Sequence, residues 1–175
     1  MPRALPSLAG AALLALATPS VASAQALTAA MAAPITSIDP HFYNAAPNNG
    51  FALHVFERLV ERSPNAELVP GLAASWTPVS ETIWEFKLRP GATWQDGTPV
   101  TADDVAFTIS RVPNVPNSPG GFTGMIRTIA RTEVMDPQTI RFHTKVPAPN
   151  LPIDLASIHI TSRTYGAGAT TDAYN

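Results

Sequence analysis

The chain has 175 residues, of which 11 are lysine or arginine and 13 are aspartate or glutamate, so its formal net charge is −2. It has no cysteine, which excludes disulfide bonds, and its charges form no runs of the kind that bind nucleic acid or an anionic membrane. Eighteen prolines are spread along the chain and predict short elements joined by turns.

The first 24 residues have the pattern of a cleavable export signal. Arg3 supplies a positive charge, residues 11–17 are rich in alanine and leucine, and Ala22–Ala24 form the small-residue motif that signal peptidases recognise. The apolar stretch is interrupted by prolines and is shorter than the roughly 20 residues that span a bilayer. The pattern predicts removal of residues 1–24, with cleavage after Ala26 as the near alternative. Without cysteine, the exported chain cannot carry a cysteine-linked lipid anchor.

The first two elements of the mature chain are a predicted strand and a predicted helix. Residues 27–33 are small and apolar and favour a buried strand. An asparagine-rich loop follows, in which Asn48 or Asn49 can cap a helix over residues 50–60. The apolar residues of this helix recur at i, i+4 and i+8 and should face the core, namely Phe51, Val55 and Leu59.

Three further segments have the signature of strands. Residues 59–69 predict two short strands around a turn at 63–66, and residues 132–146 predict a hairpin around a turn at 136–138. Between them, residues 84–89 alternate strictly between apolar and charged side chains, as a half-buried strand does. The side chains expected to face inward from these segments are Trp84, Phe86, Leu88, Ile140, Phe142 and Thr144.

The strongest helix signals begin at Thr101. Thr101 can cap the helix, and Asp104 lies three residues later, where its carboxylate stabilises the positive end of the helix. We interpret Asp103 and Asp104 as capping residues and not as an acid–base pair, because neighbours on a helix point apart. Pro113 ends the helix, and residues 122–130 form a weaker helix candidate. The expected buried stripe consists of Ala102, Val105, Ile109 and Val112.

Helices and antiparallel hairpins are interleaved without a regular βαβ rhythm, which favours an α+β fold. The residue pattern predicts no enzyme, no cofactor and no metal site, because no nucleophile motif, phosphate-binding glycine loop or close histidine spacing is present. Three tryptophans fall close together and are expected to pack in the core, namely Trp76, Trp84 and Trp94.

Several blocks of the chain together resemble a known family. The blocks LVPGLAASW at 68–76, WEFKLRPG at 84–91, Trp94, DGTP at 96–99 and TADDV at 101–105 are similar, in order and spacing, to family 5 extracellular solute-binding proteins. These are the peptide, nickel and opine receptors of ABC importers. The segments SIDPH at 37–41 and VMDPQTIRF at 134–142 fit the same family.

The resemblance implies the amino-terminal part of a two-lobed periplasmic binding protein of type II with an extra subdomain, the second lobe being missing. Residues 1–24 would be the signal peptide, residues 25–47 the first strand of lobe one with a cleft loop, and residues 48–175 the extra subdomain and an incomplete return to lobe one. Such proteins capture a small solute, commonly a peptide, as soluble monomers in the periplasm. They deliver it to permease subunits in the inner membrane after hinge closure.

In relatives, the loop after the first strand helps to line the cleft. The corresponding residues here are the ligand-binding candidates Tyr43, Asn44, Asn48, Asn49, Gly50 and Phe51, with Gly121 and Phe122 as weaker ones. Amides can pair with peptide groups and aromatic rings supply apolar area; alternatively, the asparagines only make turns and cap the helix. The ligand's identity stays open, as do two other functions, a non-binding truncated product of such a gene and a secreted hydrolase fragment.

Overall fold

The computed structural model describes residues 28, 30, 31 and 33–175. The predicted export signal lies outside the described residues. Thr28, Ala30, Met31 and Ala33 belong to no helix or strand, so these residues do not form the strand expected over 27–33. An extended segment needs a neighbouring strand for its backbone hydrogen bonds, and within the described part of the chain no strand pairs with these four residues.

Six helices and six strands are formed by the described residues, together with a 3₁₀ turn at Val112–Asn114 that continues α2. In chain order they are α1 (Ala46–Val55), β1 (Val60–Arg62), β2 (Leu68–Pro70), β3 (Ala73–Ser80), β4 (Ile83–Leu88), α2 (Ala102–Arg111), α3 (Thr123–Ile126), β5 (Ile129–Asp136), β6 (Thr139–Thr144), α4 (Leu151–Leu155), α5 (Arg163–Gly166) and α6 (Thr171–Tyr174).

The central element is an antiparallel four-stranded sheet with the order β3-β4-β6-β5. The sheet joins two hairpins side by side, and β1 and β2 form a separate two-stranded sheet. The expected hairpins and the strand over 84–89 are confirmed. However, β5 begins at Ile129, three residues earlier than predicted. The helix predicted over 122–130 is limited to α3, and β5 takes up the last two residues of that range.

The core lies between this sheet and α2. Phe86 on β4 and Phe142 on β6 are fully buried, and their rings meet edge to face with centroids 5.2 Å apart. The predicted inward face of β6 is confirmed by the burial of Ile140, Phe142 and Thr144. The predicted stripe of α2 is buried throughout, at Ala102, Val105, Ile109 and Val112. The three tryptophans are half-buried and pack against this core as expected.

Strand β3 was not predicted from the sequence. Its burial pattern shows why, because only Ala73 is buried and most of the remaining residues are exposed. An outer strand without alternating burial leaves no alternation of apolar residues to detect. It also contains Pro78, which cannot donate to a ladder and is tolerated only where the sheet ends.

Helix α1 begins four residues before the predicted start and ends before Leu59. Pro47 lies in its first turn, where a missing N–H costs nothing, and Asn48 is inside the helix and does not cap it. Val55 is exposed, whereas Leu59 is buried and lies in an extended segment after the helix. The Leu59 carbonyl accepts hydrogen bonds from the Gly71 and Ala73 N–H groups. Tertiary contacts after residue 55 thus override the helical periodicity.

The cap of α2 is formed as expected, but its two aspartates differ. Asp104 is buried, and its Oδ2 accepts a hydrogen bond from the Thr101 N–H at 2.9 Å. Its Oδ1 accepts a second bond from the Arg163 N–H at 2.8 Å, which ties α5 to the start of α2. Asp103 is exposed. The interpretation as a cap is therefore confirmed for Asp104, whose carboxylate also holds a second element.

Asp104→Ala is expected to lower the free energy of unfolding by about 2 kcal/mol, because it removes the cap and leaves the Arg163 N–H without its acceptor. Asp103→Ala is the matched control, and we expect it to cost less than about 0.5 kcal/mol because that side chain is exposed. Urea unfolding of both variants measures the difference. Equal losses would contradict the assignment of the cap to Asp104.

Candidate functional site

Two loops meet at the amino end of α1 and form a short exposed edge. Residues Tyr43 and Gly120 pair as a parallel bridge, and the Asn44 N–H donates to the Gly120 carbonyl at 2.8 Å. The Asn49 side-chain amide donates to Asn44 Oδ1 at 2.8 Å, which fixes the amide of Asn44. We call Tyr43, Asn44, Asn49 and Gly120 the asparagine rim. The side chains of Tyr43, Asn44 and Asn49 are uncharged and can both donate and accept hydrogen bonds.

The ring of Tyr43 lies close to the backbone at Gly120. A Cβ atom at this position would lie 3.4 Å from Tyr43 Cε2, which is an ordinary van der Waals distance. The ring of Tyr43 remains about one-third exposed. A large flat apolar surface therefore stands beside the two amides of the rim.

The other sequence candidates lie apart from the rim. Asn48 is buried, and its side chain is hydrogen-bonded to Thr36, whose N–H donates to Asn48 Oδ1 at 3.2 Å. Gly50 and Phe51 are half-buried on α1. Of the two weaker candidates, Gly121 is exposed next to the rim, whereas Phe122 is buried in the core.

A cavity of about 350 Å³ opens beside the rim. The flanking loops contribute Phe42 and Asn117, and the last residues of the chain contribute Thr171, Asp172 and Asn175. Ser118 fixes the position of the first loop, since its hydroxyl donates to the Phe42 carbonyl at 2.5 Å. The cavity thus borders the two loops that carry the rim, because Phe42 precedes Tyr43 and Asn117 lies three residues before Gly120.

A buried ion pair between Arg111 and Asp39 lies next to the first of these loops. Arg111, the last residue of α2, donates two parallel hydrogen bonds to Asp39, from Nη1 to Oδ1 at 2.9 Å and from Nη2 to Oδ2 at 2.7 Å. The same carboxylate accepts bonds from the His41 N–H at 3.0 Å and the Thr171 hydroxyl at 3.0 Å. The Asp39 side chain is completely buried, and Arg111 is 9% exposed. Every oxygen of the carboxylate is therefore matched by donors.

The imidazole of His41 is neutral in this network. Its Nε2 lies 2.7 Å from the His159 carbonyl and its Nδ1 lies 2.8 Å from Arg111 Nη1, so the proton is on Nε2 and the guanidinium donates to Nδ1. Burial and the neighbouring Arg111 lower the pKa of His41 to about 4. Burial alone would raise the pKa of Asp39, but bonds from Arg111 and the His41 amide lower it below its ordinary value.

This network joins the two ends of the described chain. The Ile38 N–H and the Ser37 hydroxyl both donate to Asn175 Oδ1, at 2.8 Å and 3.0 Å. The Arg111 guanidinium also lies 4.7 Å from the centroid of the Tyr174 ring. Sequence reasoning did not single out Arg111, because 72 residues separate it from Asp39 and no local pattern links them.

The described residues contain no group of three histidine, cysteine, aspartate or glutamate side chains placed to hold a metal ion. His54 is exposed, and His143 is paired with Glu133 at the sheet surface. Over residues 28, 30, 31 and 33–175, none of the helices is long and apolar enough to cross a membrane.

Comparison with known proteins identifies the class. Residues 67–174 match the model of the middle part of bacterial extracellular solute-binding proteins, family 5. This match extends over more than half of the chain, which therefore belongs to that family.

Particular relatives agree with this assignment. The periplasmic oligopeptide-binding protein OppA of Escherichia coli K12 is 34% identical over 92 residues, 53% of this chain and 17% of that protein. The periplasmic murein peptide-binding protein MppA of the same organism is 40% identical over 76 residues, 43% of this chain and 14% of that protein. Among solved structures, MoaA of A. tumefaciens R10 in complex with mannopinic acid has a TM-score of 0.69 and 27% identity, over 80% of this chain and 30% of that one.

The chain thus spans less than a third of the length of each of these relatives. The structural match also confirms the α+β class and its correspondence to part of a family 5 binding protein.

Proposed function

We propose that this chain is part of the periplasmic substrate-binding component of an ABC importer, in which the asparagine rim forms one wall of the ligand cleft. The component captures a small solute, with a peptide as the first candidate, and delivers it to permease subunits in the inner membrane. The predicted export signal supports a periplasmic location, as do relatives named as periplasmic binding proteins. The peptide candidate rests on their names, because the rim residues do not identify a ligand.

The observation that carries this proposal is the pairing of the two loops at Asn44 and Gly120. This pairing positions the backbone that carries the exposed Tyr43 ring, the two asparagine amides bond to each other, and an open cavity borders the same loops. Amide groups can pair with the N–H and C=O groups of a peptide, and the ring can cover an apolar side chain. The four rim residues carry no charged side chain, so the rim suits the backbone of a ligand more than a charged end.

Trialanine is expected to bind the chain more weakly than micromolar, because one wall of a cleft cannot bury most of a small molecule. In an NMR titration, its shifts should concentrate at residues 43–51 and 117–121. Tyr43→Ala should weaken binding by about threefold or more, since an aromatic ring supplies much of the apolar area.

Asn65→Ala, in the exposed turn after β1, is the control and should leave the titration unchanged. Micromolar binding by calorimetry would contradict the single-wall arrangement. Shifts that avoid both loops would contradict the assignment of the ligand surface.

A further inference from the structure

A second concave surface lies at the carboxyl end of α1. It is a groove of about 450 Å³ whose wall is mostly apolar. We call it the aromatic groove, and its principal lining residues are Val55, Phe56, Trp94, Asp96, Tyr165 and Tyr174. Four of the nine residues that line the groove are aromatic, so rings supply a large part of the surface that a ligand would meet.

The charge of the groove comes from Asp96. Among the described residues that line the groove, Asp96 is the one with a charged side chain. Its Oδ1 accepts bonds from the Thr98 hydroxyl at 2.7 Å and the Thr98 N–H at 2.9 Å, and its Oδ2 accepts a bond from the Tyr165 hydroxyl at 2.8 Å. These bonds, led by the one from the Thr98 hydroxyl, lower the pKa of Asp96. The groove therefore holds an oriented, ionised carboxylate beside aromatic rings.

This combination attracts cations and repels anions. The negative face of an aromatic ring attracts an ammonium or guanidinium group within about 6 Å of its centroid. Tyr174 already takes part in such a contact, since the Arg111 guanidinium lies 4.7 Å from its centroid. Arg111 forms an ion pair with Asp39, so its positive charge does not neutralise the negative charge of Asp96. Tyr165 is 66% exposed, and its hydroxyl is fixed to the carboxylate.

We propose that the aromatic groove binds a small organic cation, a protonated amine that carries an apolar body. The ammonium group lies against Asp96 and the ring of Tyr165, and the apolar body packs between Trp94 and Phe56. This site is separate from the asparagine rim and does not depend on the function proposed for it. Helix α1 has 10 residues and is about 15 Å long, and the rim and the groove lie at its opposite ends.

The probe is 2-phenylethylammonium, which has one ammonium group and one apolar ring. The readout is the Trp94 indole N–H in NMR spectra of the full chain, assigned with Trp94→Phe. Neutral 2-phenylethanol and anionic 3-phenylpropionate have a similar shape. We expect the cation to bind at least about fivefold more tightly than the alcohol and the anion not to bind, because only the cation gains from the carboxylate and the ring faces.

Asp96→Asn is the decisive variant. Asparagine keeps an oxygen for the bonds from Thr98, so the turn is retained, but the charge is lost. We expect this variant to bind the cation and the alcohol equally. Glu81→Gln, an exposed residue outside the groove, makes the same change of net charge and should retain the preference for the cation. Tyr165→Leu should weaken cation binding by about threefold or more, since the exposed ring is lost.

Three results would overturn the proposal. The first is the absence of any shift at Trp94 with millimolar cation, and the second is equal binding of cation and alcohol to the unmodified chain. The third is an effect of Glu81→Gln as large as that of Asp96→Asn, which would indicate general electrostatics and not a site. Thermal unfolding of each variant shows whether the fold is retained.

Discussion

Arg111→Met is expected to lower the free energy of unfolding by about 3–5 kcal/mol, because it leaves the carboxylate of Asp39 charged, buried and without its partner. Asp39 is wholly inaccessible, and Arg111 supplies two of its hydrogen bonds. Methionine has a similar length and can fill the space, so the loss reports mainly on the charge. Urea unfolding at pH 7 measures this change.

Arg131→Met is the matched control for this substitution. Arg131 pairs with Glu133 at the surface, where both side chains are substantially exposed. Exposed pairs of this kind contribute about 0–1 kcal/mol. In the Arg111→Met background, Asp39→Asn should restore part of the stability, because the unpaired charge is removed. If Arg111→Met costs no more than Arg131→Met, the ion pair does not hold the chain ends together as we infer.

Acid is expected to destabilise the folded chain over a pH range that two buried histidines, His41 and His159, determine. Burial is the main cause that lowers the pKa values of His41 and His159 to about 4, whereas an unfolded histidine has a pKa of about 6.5. Above pH 6.5 both rings are neutral in both states and the full stability is present. As the pH falls from 6.5 to 4, the unfolded state takes up protons first, and each ring lowers the free energy of unfolding by up to about 3 kcal/mol.

Asp39 acts in a lower pH range. Its folded pKa lies below the ordinary value, so its stabilising contribution is present above about pH 3.8, the unfolded value, and is lost as the pH falls through the folded pKa. Unfolding measurements at pH 7.0, 5.5 and 4.5 therefore report on the histidine window without a contribution from Asp39, because all three values lie above the range in which this carboxylate takes up a proton.

His159→Leu tests the assignment of this window. Neither ring nitrogen of His159 has a hydrogen-bond partner among the described residues, so leucine removes no polar contact. We expect unchanged or greater stability at pH 7 and about half the loss between pH 6.5 and 4. His54→Gln, at an exposed position, should leave the pH dependence as it is. An equally steep loss in His159→Leu would assign the acid sensitivity to other groups.

Local signals made β4, the β5–β6 hairpin and α2 predictable, but not β3. The alternation at 84–89 and the cap at Thr101 each involve residues within one element, and both elements form as expected. The boundary of α1 was wrong because the hydrogen bonds of Leu59 with residues 71 and 73 come from outside the helix. Periodicity within a segment carries no information about such partners.

The candidate site was predictable only in part, for the same reason. The loop with Tyr43 and Asn44 could be named from the family resemblance, and Gly121 next to the rim was a weak candidate. The pairing with Gly120 depends on two loops that meet only in the folded chain. The ion pair between Asp39 and Arg111 likewise forms only when folding brings the end of α2 next to the segment that contains Asp39. Whether the rim binds a solute stays a prediction.

The two outer strands of the main sheet, β3 and β5, also affect whether the protein aggregates at high concentration. Unpaired strand edges can recruit another chain and start aggregation, and the exposed apolar residues Val79 and Met135 on these strands add to that risk. Pro78 interrupts the donors of β3, and register shifts disturb β3 and β5 close to both ends. Such irregular edges do not match a regular partner strand. These irregular edges therefore protect the sheet against edge-to-edge polymerisation.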